Sequence, residues 1–343
     1  MSERKIRNME EFAKVSDISR PTVSKYFHDP QSVRKSTRER IEAALERYDY
    51  RPNIYAMNQN RRLTKNVGVV VPYLADPFFA EIARNIENLI IAAGYRPILL
   101  SSHGDRDQEI GNLDSLRSIK PAGVLLAPLG RASDIDAVRQ FSKDVPTINF
   151  DANVEGVGES FVGHDNVQAT RIMLEYLVRS GEPPVFMEMR TPPNPNVNKR
   201  RSAYINGMEE LGLEPHIVQI EGEGWDIEEI GFREGKRVIS ERLLQTNTVF
   251  CSNDRLAIGF LAAAYENGLR VGRGEGSALR VAGHDNHPFS RFSCPRLTTV
   301  SHDYRAIAEK SVEALLGLIE SGESGSARET TLFDGKLIMR QSA

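Results

Sequence analysis

From Asn66 onward, short apolar segments alternate with longer amphipathic ones, and this alternation restricts the chain to few folds. NVGVVVP is followed by PFFAEIARNIENLIIAAGY, then by RPILLSS, a polar stretch and AGVLLAP, and the alternation continues through PVFMEM, TVFCSND and LRVAGHDN. Segments of this length that are apolar almost throughout are typical of parallel strands with helices on both faces. Two similar blocks meet near Gly163, so we predict an α/β fold with two doubly wound parallel-sheet lobes.

The crevice between two such lobes is the expected ligand site, because open parallel sheets bind ligands beyond the carboxyl ends of their strands. Polar residues follow several of the predicted strands, among them Asp76, Asp151, Asn253 and Asp285. The structural alternative for each is a turn cap or a hydrogen-bonded loop residue.

The first 65 residues carry 15 Lys and Arg against 9 Asp and Glu, whereas the whole chain has a formal net charge of −3. A basic head on an acidic body indicates a protein that contacts the phosphates of a nucleic acid through its head alone. A plain solvated helix face is the alternative interpretation of the charge pattern alone.

The head is predicted to contain three short helices. Asn8 and Glu11 resemble a capping box for a helix over about 9–15, with an apolar side formed by Met9, Phe12, Ala13 and Val15. Ser19 is placed to cap a second helix, with Pro21 in its first turn and with Val23 and Phe27 facing inward. A third helix is predicted from about Ser36, with its buried face formed by Ile41, Ala44, Leu45 and Tyr48. This pattern predicts a helix-turn-helix head.

The head motifs AKVSDISRPTVSKYF, VRKSTRERI and YRPNIYA resemble, in order and spacing, those of the LacI (lactose-repressor) family. ADPFFAEI, NDRLAIG, VAGHDN and PRLTTV resemble the family's ligand-binding core, itself similar to periplasmic sugar-binding proteins. The resemblance implies an all-α helix-turn-helix head at 1–50, a hinge at 51–65 and two periplasmic-binding-protein-like lobes. In that fold the chain crosses between the lobes three times. The first lobe is therefore expected to take 66–163 plus 295–323, and the second 164–294 plus 324–343.

By this resemblance the second head helix lies in the major groove of double-stranded operator DNA. Arg20, Pro21 and Lys25 then occupy base-reading positions, and Thr22 and Ser24 lie near phosphates. Arg20 and Lys25 suit the O6 and N7 acceptors of guanine, whereas Pro21 can only touch a group such as a thymine methyl.

The hinge IYAMNQN is too short to form a stable helix alone in water, so its helix is expected to form on DNA. The hinge residues expected to contact DNA are Asn53, Tyr55, Ala56, Met57 and Gln59. Gln59 stands where the family usually carries a leucine that wedges into the minor groove.

Mapped residue by residue, the family's ligand positions correspond to Asp76, Phe78, Asp151, Arg200, Trp225, Asn253 and Asp285. Arg201 is an adjacent alternative to Arg200, and a lone tryptophan is more often a core residue than a ligand contact. His103, His164 and His284 lie near the expected cleft and are interpreted as structural.

The sequence contains no GxSxG, GxxxxGK[ST] or HExxH motif and no GxGxxG after a strand, so neither an enzyme nor a cofactor or metal site is expected. Cys251 and Cys294 are interpreted as buried free thiols. A non-DNA-binding receptor shares the expected body but does not account for the basic head. The charged start of the chain lacks the apolar core of a signal peptide, so we expect a cytoplasmic protein with no membrane contact.

The expected function is a transcriptional regulator, of the repressor type, whose operator affinity depends on a small effector between the lobes. Acidic and aromatic cleft residues favour a sugar, sugar alcohol or sugar acid. A purine or phosphorylated metabolite paired with Arg200 is the open alternative. One head reads only a few base pairs, so we expect a homodimer on a near-palindromic operator.

Overall fold

The computed structural model describes residues 6, 8–48, 50, 64–321 and 328–343. The chain divides into two compact units, Met1–Thr64 and Lys65–Ala343. Each unit has its own hydrophobic core and is described separately.

The first unit consists of three α-helices, α1 (Met9–Ser16), α2 (Arg20–His28) and α3 (Lys35–Tyr48), with a short 3₁₀ turn at Pro30–Ser32. Asn8 Oδ1 accepts a hydrogen bond from the Glu11 N–H at 2.9 Å, and Ser19 Oγ accepts one from the Thr22 N–H at 3.3 Å. Both predicted N-caps are therefore confirmed, because each satisfies a donor that the first helical turn leaves open.

One apolar residue of the head was assigned to the wrong face. Val15 was expected on the core side of α1, but it is 46% exposed, whereas Phe12 is completely buried. The core face of α1 contains Phe12 and Ala13. Val15 lies about 200° around the helix from Ala13, because each residue turns the helix by about 100°.

The second unit contains two parallel sheets. The six-stranded sheet has the order β11-β5-β4-β3-β1-β2, and the four-stranded sheet has the order β7-β6-β8-β9. The strands of the first sheet are β1 (Asn66–Val71), β2 (Arg96–Ser101), β3 (Gly123–Leu126), β4 (Thr147–Phe150), β5 (Ser160–His164) and β11 (Glu329–Phe333). Those of the second are β6 (Val185–Met189), β7 (Ile217–Ile220), β8 (Thr248–Cys251) and β9 (Arg280–Ala282). The predicted doubly wound α/β architecture is confirmed.

Eight helices cover these sheets among the described residues of the second unit. They are α4 (Pro77–Ala92), α5 (Arg106–Ser118), α6 (Ile135–Asp144), α7 (Asn166–Ser180), α8 (Asn196–Glu210), α9 (Ile227–Ser240), α10 (Asp254–Glu266) and α11 (Tyr304–Ser321). Each sheet with its helices is called a lobe below. None of the described helices is long and apolar enough to cross a membrane.

Two segments near the C-terminus lie in different lobes from those expected. Strand β11 pairs in parallel with β5 of the first sheet, although 324–343 was assigned to the second lobe. Strand β10 (Thr299–Ser301) pairs antiparallel with β12 (Lys336–Ile338) and forms bridges to 282 and 285, although 295–323 was assigned to the first lobe. The chain therefore crosses between the lobes after β5, after β10 and after β11. The expected lobe boundaries differ from these because strands that are distant in sequence pair with each other.

Candidate DNA-binding and ligand-binding sites

Helix α2 exposes the side chains that were expected to contact DNA. Arg20, Pro21, Ser24 and Lys25 are exposed, whereas Val23 is completely buried. The helical period explains this pattern, because one residue of the turn faces α1 and α3 while its neighbours face solvent. The exposed side chains include cationic and hydroxyl donors, which match the acceptors of guanine edges and phosphates.

Thr22 differs from its neighbours because it is half-buried and already hydrogen-bonded. Its hydroxyl lies 2.8 Å from the Ser19 hydroxyl, which also caps the helix. A phosphate contact from Thr22 therefore has to share this hydroxyl pair.

A small aromatic and aliphatic core fixes the orientation of α2. Phe12, Val23 and Ile41 are completely buried, and the ring of Tyr50 stacks on Phe12 with 4.7 Å between centroids. Tyr50 thus packs the end of the head against its first helix. The expected hinge contacts, Asn53, Tyr55, Ala56, Met57 and Gln59, lie outside the described residues and stay predictions.

In the second unit, six of the seven expected ligand residues line one cleft between the lobes. These six are Asp76, Phe78, Arg200, Trp225, Asn253 and Asp285, and the cleft is completed by Phe79, Asn194, Val197, Ile227, Arg255 and His287. The enclosed cavity is about 30 Å³. That volume holds water but not a sugar ring, so the lobes are closed around these residues. A second cavity of about 380 Å³ lies between the same lobes beside Trp225.

Asp76 and Asn253 reach the cleft because each caps a helix that starts there. Asp76 Oδ1 accepts the Phe78 N–H at 2.9 Å at the start of α4, and Asn253 Oδ1 accepts the Leu256 N–H at 2.8 Å at the start of α10. Both residues therefore cap helices, which was the structural alternative to a ligand role. Capping occupies one oxygen of Asp76 and leaves the other turned to the cleft.

Arg200 and Asp285 form a buried ion pair within the second lobe. Arg200 donates from Nη2 to Asp285 Oδ1 at 2.6 Å, from Nη1 to the Ser252 carbonyl at 2.8 Å and from Nε to Asn166 Oδ1 at 2.9 Å. Burial opposes ionisation of Asp285, but the charge of Arg200 and the hydrogen bonds of His284 and His302 together outweigh it and hold the pKa of the Asp285 carboxyl well below its usual range. The adjacent alternative, Arg201, instead contacts the buried Glu188 at 3.2 Å.

Asp151 is the one expected ligand residue that does not line this cleft. Its carboxylate accepts a hydrogen bond from Asn196 Nδ2 at 2.9 Å and lies 3.0 Å from His164 Nε2. Asp151 is 2% exposed, so its carboxylate is shielded from solvent. The geometry supports a structural role for Asp151, linking the end of β4 to α8.

Three histidines lie together behind Asp285. The rings of His164 and His302 stack with 3.8 Å between centroids, and His302 Nε2 lies 3.1 Å from His284 Nδ1. Burial, reinforced by Arg200, lowers the pKa of His284 to about 4, and burial lowers that of His302 well below its usual range. The imidazoles of His284 and His302 are therefore neutral at physiological pH.

Donor atoms of His284, Asp285 and His302 lie within 4.8 Å of one another, a spacing that suits a metal ion. However, Arg200 Nη2 bonds the same Asp285 oxygen at 2.6 Å. A second cation at this oxygen meets direct charge repulsion in a buried setting, so we assign the cluster to hydrogen bonding rather than metal binding.

A second buried carboxyl, Asp254, lies at the start of α10. It accepts hydrogen bonds from the His287 N–H at 2.8 Å, the Thr299 hydroxyl at 2.6 Å and the Ser290 hydroxyl. Burial, together with the charge of Asp285, nevertheless raises the pKa of Asp254 to about 7.

Trp225, the only tryptophan of the chain, packs across the two lobes. It follows β7 of the second lobe, and its ring stacks on Tyr73, which follows β1 of the first, with 5.1 Å between centroids and 13° between planes. Phe79 meets it edge-on at 6.0 Å. One indole face is thus occupied by Tyr73 while the lobes are closed.

Arg255 is a cleft residue that the sequence analysis missed. From α10 it donates to Asp76 Oδ2 at 2.9 Å, to the Trp225 carbonyl at 2.8 Å and, through two nitrogens, to Glu228 at 2.7 and 2.5 Å. Its position two residues after Asn253 was the available signal, because the first turn of that helix faces the strand ends.

Known proteins match the chain over nearly its whole length. Residues 8–53 match the bacterial regulatory proteins of the lacI family, and residues 174–343 match the periplasmic binding protein-like domain. The NTD biosynthesis operon regulator NtdR of Bacillus subtilis (strain 168) is 26% identical over 97% of this chain and 99% of its own. The repressor CytR of Escherichia coli (strain K12) is 26% identical over 97% and 95%, respectively.

A lac repressor dimer bound to operator and the anti-inducer ONPF superimposes with a TM-score of 0.81, at 21% identity and 99% coverage of both chains. The chain belongs to the LacI family. A periplasmic binding protein/LacI transcriptional regulator from Alkaliphilus metalliredigens complexed with D-xylulofuranose has a TM-score of 0.69 at 22% identity, covering 81% of this LacI-family chain and 99% of its own. The named relatives are transcriptional regulators rather than enzymes, and this LacI-family protein is accordingly a DNA-binding regulatory protein.

Proposed function

We propose that this LacI-family protein is a transcriptional repressor whose affinity for operator DNA is set by a small polyhydroxy effector in the cleft between the lobes. One observation carries the proposal. Six of the expected ligand residues, which are spread along the chain from Asp76 to Asp285, line the same cleft between the lobes. The exposed donors of α2 provide the DNA contacts, at a site separate from the effector contacts. Residues 1–50 are then the DNA-binding head and 51–65 the hinge.

The chemistry of the cleft supports a sugar, sugar alcohol or sugar acid as effector. Asp76 and Asp285 provide carboxylate oxygens that accept hydroxyl hydrogen bonds, and Arg200 provides charge-assisted donors. Phe78 and Trp225 supply apolar surface for the C–H faces of a ring. The sugar complex of the Alkaliphilus metalliredigens protein supports the same assignment.

A change in lobe separation is the proposed link between effector and DNA. An effector changes operator affinity only if it binds open and closed lobe arrangements with different free energies. The cavity among the proposed effector residues is too small for a sugar, so these residues have to move apart when a sugar binds among them. We propose that the protein is a homodimer whose two heads bind a near-palindromic operator. A change in lobe separation then alters how well both heads bind the DNA at once.

The test combines operator selection with effector titration. We would select duplexes from a random DNA library with the full chain, then measure binding by fluorescence anisotropy in the presence of single sugars and of adenine. We expect the selection to yield one near-palindromic sequence. A sugar should change the affinity of the protein for that sequence at least tenfold. Lys25→Ala should weaken operator binding and keep sugar binding, whereas Asp285→Asn should weaken sugar binding and keep operator binding. Selection of no preferred sequence, or a response to adenine alone, contradicts the proposal.

A further inference from the structure

The ion pair between Arg255 and Asp76 joins the two lobes across the cleft. Arg255 belongs to α10 of the second lobe and Asp76 to the start of α4 of the first, and Arg255 Nη1 lies 2.9 Å from Asp76 Oδ2. The side chains are 12% and 9% exposed, respectively. The pair is thus sheltered from solvent where an effector has to enter.

The guanidinium of Arg255 is held in place from its own lobe. Glu228 accepts from its Nε and Nη2, and the Trp225 carbonyl accepts a further bond from Nη2. These contacts leave Nη1 as the nitrogen that faces the other lobe. Arg255 therefore remains oriented toward the first lobe when the lobes separate.

We propose that Asp76 and Arg255 form an exchangeable bridge that selects an uncharged effector carrying neighbouring hydroxyl groups. This inference rests on the proposed function. Because the cavity beside Asp76 and Arg255 is only about 30 Å³, a sugar that binds at this position has to part the bridge. One hydroxyl then donates to Asp76 Oδ2 while its neighbour accepts from Arg255 Nη1, so both buried partners regain a hydrogen bond.

Charge balance excludes an acidic effector from the same position. Arg255 already contacts two carboxylates, Asp76 and Glu228, and Arg200 is paired with Asp285. A ligand carboxylate or phosphate that took Arg255 would leave Asp76, which is 6% exposed, without its cation and facing another anion. Burial already raises the pKa of Asp76 and Arg255 opposes that rise, so the loss of Arg255 is costly for the carboxylate.

The experiment uses matched pairs of neutral and acidic probes on the full chain. Thermal shift identifies binders among D-glucose with D-glucuronate, D-galactose with D-galacturonate, and D-ribose with D-ribose 5-phosphate, and calorimetry then measures the affinities. We expect the neutral member to bind at least tenfold more tightly than its acidic partner. Arg255→Gln should weaken the neutral probe at least tenfold.

Asp76→Asn separates this selection from a structural role, because asparagine also caps helices well. We expect Asp76→Asn to weaken the neutral probe and to strengthen the acidic one, since Arg255 then lacks its inter-lobe carboxylate. Arg237→Gln is the matched control: Arg237 is also ion-paired, with Glu234 and Glu241, on α9 of the same lobe. This control should leave both affinities unchanged.

An acidic probe that binds the wild type as tightly as its neutral partner overturns the selection. A neutral-to-acidic ratio that Asp76→Asn changes by less than threefold also overturns it. If the acidic probe also changes operator affinity in the anisotropy assay, the proposed function stands and only the selection by Arg255 and Asp76 fails.

Discussion

Removing the carboxylate of Asp285 should destabilise the second lobe through Arg200. In Asp285→Ala the Arg200 guanidinium, whose side chain is 4% exposed, keeps only the neutral acceptors of Asn166 and Ser252. Breaking a buried ion pair from one side costs about 3–5 kcal/mol. Because the Asp285 side chain is 19% exposed, we expect about 3 kcal/mol, at the lower end of that range.

Asp285→Asn distinguishes the charge from the hydrogen bond. The amide oxygen can still accept from Arg200, so we expect a smaller loss of about 1–2 kcal/mol, the value of charge assistance in a hydrogen bond. Arg200→Met combined with Asp285→Ala removes both charges. This double variant should be about 2 kcal/mol more stable than the sum of the single losses predicts.

Urea denaturation of the full chain, followed by far-ultraviolet circular dichroism, measures these free energies of unfolding. The pKa of Asp285 is lowered in the folded protein, so its stabilisation is present above the unfolded pKa and is lost as pH falls through the folded pKa. This stabilisation is complete at both pH 7 and pH 5, but the charge of Asp285 also helps raise the pKa of Asp254 to about 7. The difference in stability between wild type and Asp285→Asn should therefore be larger at pH 5 than at pH 7. An Asp285→Ala variant within about 1 kcal/mol of wild type, or additive single and double variants, would refute the reasoning.

Three further predictions concern the head, a buried carboxyl and the hinge. Arg20→Ala and Lys25→Ala should each weaken operator binding by about 1–3 kcal/mol in anisotropy titrations at physiological salt, with effector affinity unchanged. If either variant binds the operator as tightly as wild type, that residue does not contact the bases. Because the pKa of Asp254 is raised to about 7, its contribution to stability is fully present below the unfolded value of 3.8 and is lost as pH rises through about 7. Urea titrations of Asp254→Asn should show a flatter stability profile between pH 4 and pH 8, and a profile parallel to that of wild type contradicts the assignment. Gln59→Leu should increase both operator affinity and the DNA bend measured by gel phasing, because a leucine fills an opened base step better than an amide. A wild-type complex that is sharply bent, and whose bend neither Gln59→Leu nor Met57→Ala changes, contradicts this prediction.

The features that were predictable from the sequence depend on residues close together in the chain. The caps at Asn8 and Ser19 follow from contacts within three residues, and the inward position of Val23 follows from the helical period, so local patterns contain the necessary information. The family resemblance added the cleft residues, and six of seven line the same cavity.

The features that were missed depend on partners far apart in sequence. Strand β11 lies beside β5, about 170 residues earlier, and nothing in the sequence ETTLF specifies which sheet it joins. Arg255 reaches Asp76, 179 residues away, and its role is visible only when the two lobes are brought together. Asp151 occupies a family ligand position, but its partners His164 and Asn196 direct it away from the cavity.

The stacking of Trp225 on Tyr73 gives the protein an intrinsic optical signal. Indole emission depends on the polarity and the aromatic neighbours around the ring, and this indole is 8% exposed with its stacking partner on the opposite lobe. The chain has one tryptophan, so no second indole masks the change. Opening of the cleft can therefore be followed in real time on the unlabelled protein by stopped-flow fluorescence, which separates the rate of lobe movement from the rate of DNA release.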